Sequence, residues 1–240
     1  MIQFKSIARR TLAPAAMATA LLSFAAPANA TSFTFAQFVQ KVSAAKIFTY
    51  TNVVGGATLK SSGNSTVLVS DLGTLVSPSE ATLTMNATAS ALPVLAGGNI
   101  TQLFSGSMVF TLLAPQLGLS GMSTSALTVN FTDAQLTSTP GSKAPTFSAD
   151  ESTGSTISYM SDFADLSALT EKNFSLSFSS ATSKLLLNGS GKLPNFTMSG
   201  SGTFAGAIPE PMSWALMTMG FGAAGFSLRA SRGKRTAARA

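Results

Sequence analysis

The side chains able to carry chemistry are few. The chain has 240 residues but no cysteine and no histidine, which removes thiolate nucleophiles, imidazole bases and most transition-metal ligands. Carboxylates remain. Asp150-Glu151 and Asp162 with Asp165 lie on one segment rich in Ser and Gly. Loop carboxylates suit calcium, and paired carboxylates serve glycoside hydrolysis. The spacing matches no calcium loop, and one Trp and two Tyr leave few platforms for a sugar ring. Ser43 and Lys46 stand in a Ser-x-x-Lys spacing known from serine–lysine enzymes, but none of the companion motifs follows. The expectation is no catalytic residue, no metal and no cofactor, with the acids as solubilising loop charges.

Two polar patterns bear on binding instead. Asn64, Asn86, Asn99, Asn130, Asn173, Asn188 and Asn195 each begin an Asn-x-Ser/Thr triplet, the acceptor pattern for N-glycosylation. A geometric reading competes: residues two apart on a strand share a face, so a polar-face Asn naturally precedes Ser or Thr. Thr-rich strands invite an ice-binding reading. Thr-x-Thr occurs, as at Thr82-Leu83-Thr84, but in no register kept from strand to strand, so a solvated strand face is expected.

These residues need elements to hold them. Phe35 to Phe48 is the one plausible helix, with Phe35, Phe38, Val39, Val42 and Ile47 near one face. Beyond it the period becomes two. Leu83 and Met85, then Met108, Phe110 and Leu112, alternate with polar neighbours. So do Leu127, Val129 and Phe131, Ile157 and Tyr159, and Phe174, Leu176 and Phe178. Turn signals such as Gly97-Gly98, Pro140-Gly141 and Asn188-Gly189 separate the runs. The pattern predicts an antiparallel all-β domain over residues 31–199, of sandwich or jelly-roll type. The small residues Gly200 to Ala207 read as a flexible linker.

The charge is divided by segment. The net charge of +6 rests on three basic residues near the N-terminus and five at the C-terminus. Between Thr31 and Ala207, eight acids face seven lysines with no arginine. That region lacks the basic patch that nucleic acid requires.

Both ends read as addresses. Lys5, Arg9 and Arg10 precede an apolar stretch from Leu12 to Ala26 and the small-residue pattern Ala28-Asn29-Ala30. This is the layout of a secretory signal peptide, residues 1–30, cut after Ala30 by the general secretion route. Arg9-Arg10 raises the twin-arginine route, but the flanking residues fit it poorly. At the other end, Pro209 and Pro211 stiffen the segment around Glu210 into an extended form that a protease groove can read. Met212 to Leu228 is uncharged and spans about 25 Å as a helix, close to a hydrocarbon core. Arg229, Arg232, Lys234, Arg235 and Arg239 follow with no acid among them. They predict one transmembrane helix in the inner membrane, 212–228, with its basic tail, 229–240, inside. A buried core helix is the competing reading, but such a helix seldom ends a chain in an unbroken basic run.

Pro209-Glu210-Pro211, Trp214-Ala215, Met217, Gly220-Phe221, Gly225 and Arg229 together resemble the PEP-CTERM sorting signal in its Pro-Glu-Pro-x-x-Trp-Ala form. The resemblance covers residues 208–240. It implies recognition at the Pro-Glu-Pro block by exosortase, a membrane-embedded cysteine transpeptidase, and removal of helix and tail. It also implies release or attachment at the cell surface, often with exopolysaccharide. Similar tails end some proteins labelled ice-binding. The expectation is a non-enzymatic surface or matrix protein, and the alternative is a carbohydrate- or ice-binding module delivered by the same signal.

Overall fold

The computed structural model describes residues 31–61, 65–208 and 221–222. Thr31–Ile208 is one compact unit, built of twelve strands: β1 (Thr31–Gln40), β2 (Phe48–Val53), β3 (Gly56–Ser61), β4 (Ser65–Ser70), β5 (Ser79–Ala89), β6 (Val94–Ala96), β7 (Asn99–Gly118), β8 (Gly121–Ser138), β9 (Thr146–Asp150), β10 (Thr156–Met160), β11 (Thr170–Ser179) and β12 (Phe196–Ile208). Every pairing is antiparallel. The all-β expectation therefore holds.

The pairings form one sheet, and its ladder closes. β1 pairs β4, β4 pairs β5, β5 pairs β7, and β7 pairs β8. β8 pairs β9, β9 pairs β11, β11 pairs β12, and β12 returns to β1. The circuit passes through eight strand positions, the number at which inward side chains fill a barrel. The hairpin β2–β3 continues the wall between β12 and β5 at the end away from β1 and β4, and β10 continues β9 along β8. Where two facing sheets were expected, there is one sheet with β1 and β12 joined. Nothing local signals that closure, because it links the first and last strands of the unit.

Strand alternation builds the interior. Along β5, Ala81, Leu83, Met85 and Ala87 point inward, while Glu80, Thr84, Asn86 and Thr88 are exposed. This is opposite to a membrane barrel, whose outward positions are apolar. Phenylalanines fill the lumen. The ring of Phe204 lies 5.6 Å from Phe110 and 6.2 Å from Phe38 and Phe174, and Phe147 lies 5.5 Å from Phe131 and 5.9 Å from Phe104. Edge-to-face pairs of this kind add about 0.5–1.5 kcal/mol each beyond area burial. A unit without disulfides depends on such a core.

Two expected elements are different. Phe35 to Phe48 is not a helix: β1 runs through Gln40 and a turn follows. A bulge between Thr34 and Ala36 lets Phe35, Ala36 and Phe38 all be buried. An inserted residue breaks strict alternation and imitates helical spacing. Of the rest of the supposed apolar face, Val39 and Val42 are exposed and only Ile47 is buried. Nor is 200–207 a linker, since it lies within β12, paired with β11 and, from Gly202 on, also with β1. Its glycines serve packing. A Cβ on Gly202 would come within 2.6 Å of Phe38 and 3.0 Å of Leu176, and one on Gly200 within 2.6 Å of Phe178. Small residues there make room for large ones on neighbouring strands.

No helix among the described residues is long and apolar enough to cross a membrane. The expected span 212–228 lies outside them except for Phe221 and Gly222, a helical, exposed pair.

Candidate functional site

The expected sorting residues Pro209, Glu210, Pro211, Trp214, Ala215, Gly220 and Gly225 lie outside the described residues. So do Arg229, Arg232, Lys234, Arg235 and Arg239, and Ala28 and Ala30. The structure does describe the chain up to both boundaries. Thr31, which follows the expected signal cleavage, pairs with Ile208, which precedes Pro209. The ladder continues inward as Ser32 with Ala207 and Phe33 with Gly206. Thr170 on β11 pairs with Ala207 from the other side, and its hydroxyl donates to the Ala207 carbonyl at 3.2 Å. Both termini of the barrel therefore leave side by side, without a spacer.

The carboxylates have local structural partners. Asp150 caps a 3-10 turn at Glu151–Thr153, accepting from the Ser152 N–H at 2.8 Å. Glu151 accepts from the Lys172 backbone N–H at 2.9 Å and sits 3.5 Å from the Lys172 ammonium. Asp162 accepts from the Ser123 hydroxyl at 2.5 Å. Asp165 accepts from the Ser167 N–H at 3.0 Å, and hydrogen bonding from Ser167, its hydroxyl first and its N–H second, holds the Asp165 carboxyl below the usual range. The sequence pair Asp150-Glu151 and the pair Asp162 and Asp165 thus act as caps, turns and one ion pair. Among the described residues, no three acids come together in a way that would hold a metal ion. The Lys46 ammonium donates to the Ser180 carbonyl at 2.6 Å, which ties it to a turn on another part of the chain.

Two surface features were not apparent in the sequence. A cleft of about 500 Å³ opens where β8 meets β9, with Asp133, Gln135, Ser148, Asp150 and Ser155 on its walls. Asp133 has φ +57°, in the left-handed region that Asp tolerates better than most residues. It lies where the β7–β8 register shifts. The second feature is a set of hydroxyl rungs across neighbouring strands. Thr66 pairs with Thr82, Thr82 with Thr111, and Thr111 with Ser125. Thr51 pairs with Thr58, Thr58 with Thr88, and Thr88 with Ser105. Reading along each strand cannot find such rows, because register between strands creates them.

Of the Asn-x-Ser/Thr triplets, Asn86 with Thr88 and Asn130 with Thr132 are exposed strand pairs on one outward face, as the geometric reading expects. Asn188 instead holds a turn, accepting from the Ser190 and Lys192 N–H groups at 2.9 and 3.0 Å.

The lumen holds the two tyrosines, and both are bonded. Tyr50 stacks on Phe196 at 4.7 Å and donates to Gln102 Oε1 at 2.8 Å, while Gln102 Nε2 donates to the Ala91 carbonyl at 2.7 Å. Burial pushes the Tyr50 phenol up to about 12, against the opposing effect of the Gln102 bond. Tyr159 donates to the Asn173 carbonyl at 2.5 Å, and burial, then Glu151 and Asp150, raise its phenol further. Neither tyrosine lines the cleft between β8 and β9. No family model, no curated protein and no solved structure matches the chain.

Proposed function

We propose that the chain is an exported, non-enzymatic protein of the cell surface or extracellular matrix, associated with exopolysaccharide. Exosortase sorts and processes it at Pro209-Glu210-Pro211. The observation that carries this reading is the ordered block of Pro-Glu-Pro, uncharged run and basic tail at residues 209–240. The barrel gives independent support: its first and last residues pair with each other, one residue inside the two expected cuts. A unit that begins at Thr31 and ends at Ile208 keeps its whole core after both segments are removed. The acids, committed to caps and turns, favour a role set by delivery rather than by chemistry. Replacing Pro209, Glu210 and Pro211 together by alanine tests it. The wild-type protein should reach the surface or medium, and the variant should stay in the membrane fraction. Equal release of both would refute the reading.

A carbohydrate- or ice-binding module on the same barrel is the second reading, favoured by the hydroxyl rung on the β4–β5–β7–β8 wall and by the polar cleft between β8 and β9. Changing Thr82 and Thr111 to lysine tests it. Retained exopolysaccharide or ice binding would exclude that wall.

A further inference from the structure

We infer that the barrel end carrying both termini is a lipid-contact surface that rests on the membrane. The inference builds on the membrane-anchor part of the proposed function. Three loops share that end with Ile208. The loop after β10 leads to Thr170, which pairs with Ala207. The β7–β8 hairpin tip joins that loop through the Leu119 N–H, which donates to the Asp162 carbonyl at 2.7 Å. The β4–β5 loop joins both, since the Thr74 N–H donates to the Phe163 carbonyl at 2.9 Å and the Val76 N–H to Gln116 Oε1 at 3.2 Å.

These loops present apolar side chains to solvent. Val76, Leu117, Leu119, Met122 and Met160 are each more than half exposed. Leu117 and Met122 are direct cross-strand partners near the hairpin tip. A hairpin tip ordinarily carries polar turn residues, and a connected apolar rim of this kind marks an interaction site.

Chain length selects the occupant. From Ile208 to the start of the uncharged run at Met212 is four residues, at most about 14 Å when extended. Headgroups extend only some 5–8 Å beyond the hydrocarbon on each side. The tether is thus short enough for the rim to reach headgroup level, where exposed Leu and Met side chains gain from burial. Asp71, Asp162, Asp165 and Glu171 lie on the same loops or strand ends. The contact is thus apolar rather than electrostatic, and anionic lipid weakens it.

The absence of cysteine permits a direct test. The mature chain, residues 31–240, is reconstituted into phosphatidylcholine vesicles with an environment-sensitive fluorophore on Leu119→Cys or, as control, on Val54→Cys. Val54 is equally apolar and fully exposed, but it lies on the β2–β3 turn, at the end away from Ile208. Both proteins should float with the vesicles. The Leu119 probe should be blue-shifted and quenched several-fold more by a lipid-borne quencher than the Val54 probe, and less so when phosphatidylglycerol is added. Flotation with equal quenching at both sites overturns the rim inference and leaves the anchor standing. Shielding at Leu119 without lipid quenching assigns the rim to a second copy and also overturns it. Failure to float overturns the anchor and the inference together.

Discussion

The inner and outer surfaces of the barrel wall come from the same strands, one residue apart, and they differ in almost every respect. The inner surface is crowded, aromatic and specific. Phe174 is within 5.3 Å of Phe131 and 5.8 Å of Phe147, and Gly202 is shaped to its neighbours. The outer surface is rich in hydroxyls and sparse in charge, and its Lys41–Glu80 ion pair is open to solvent. The difference teaches that a core without disulfides constrains the inner positions tightly and the outer ones little. On the function proposed above, where the protein is placed matters more than what its outer wall does.

Mutations can sharpen or break that contrast. The largest effect is expected at Phe174→Ala, which should cost about 3–5 kcal/mol in chemical unfolding of the mature chain. Gly202→Val should cost about 3 kcal/mol, because Phe38 and Leu176 must move to admit the side chain. Tyr50→Phe should cost about 1–2 kcal/mol by leaving Gln102 Oε1 without its donor in the core. On the outer wall, Lys41→Ala removes the 2.5 Å contact with Glu80, an exposed pair. It should change stability by less than about 1 kcal/mol, and by less still in salt. An outer-wall change as costly as Phe174→Ala would break the contrast.

The tyrosines supply a pH test with a defined sign. Both folded phenols titrate above their unfolded value of 10.0, since burial disfavours the phenolate. Their contribution is fully present below pH 10 and is lost as pH rises towards the folded values, so stability falls above pH 10. The chain has two tyrosines in all. Phenolate absorbance should stay flat in the native protein near pH 10–11 and rise at once on unfolding. A native titration near 10 would place at least one phenol in water.

Much of the inner surface was readable in the sequence. Leu83, Met85, Met108, Phe110, Val129, Phe131, Leu176 and Phe178 alternate, and all are buried. Two failures have physical causes. The bulge at Phe35 replaced a period of two with a spacing that resembles a helix. The small residues from Gly200 to Ala207 looked like a linker because sequence shows what a residue lacks, not the Phe38 and Phe178 rings that require the space. Closure of the barrel, the Gln102–Tyr50 bond and the hydroxyl rungs depend on register between distant strands, which no local pattern encodes. The proposed addresses at the two ends are the reverse case: as linear signals, they rest on the order of residues alone.

The most direct test is the intact mass of the protein recovered from its own cell surface and medium. A chain beginning at Thr31 and ending near Pro209–Pro211 is the expected result and would establish processing at both boundaries of the barrel. A mass running from Thr31 to Ala240, found only in the membrane, would make the tail a permanent anchor and contradict sorting by exosortase.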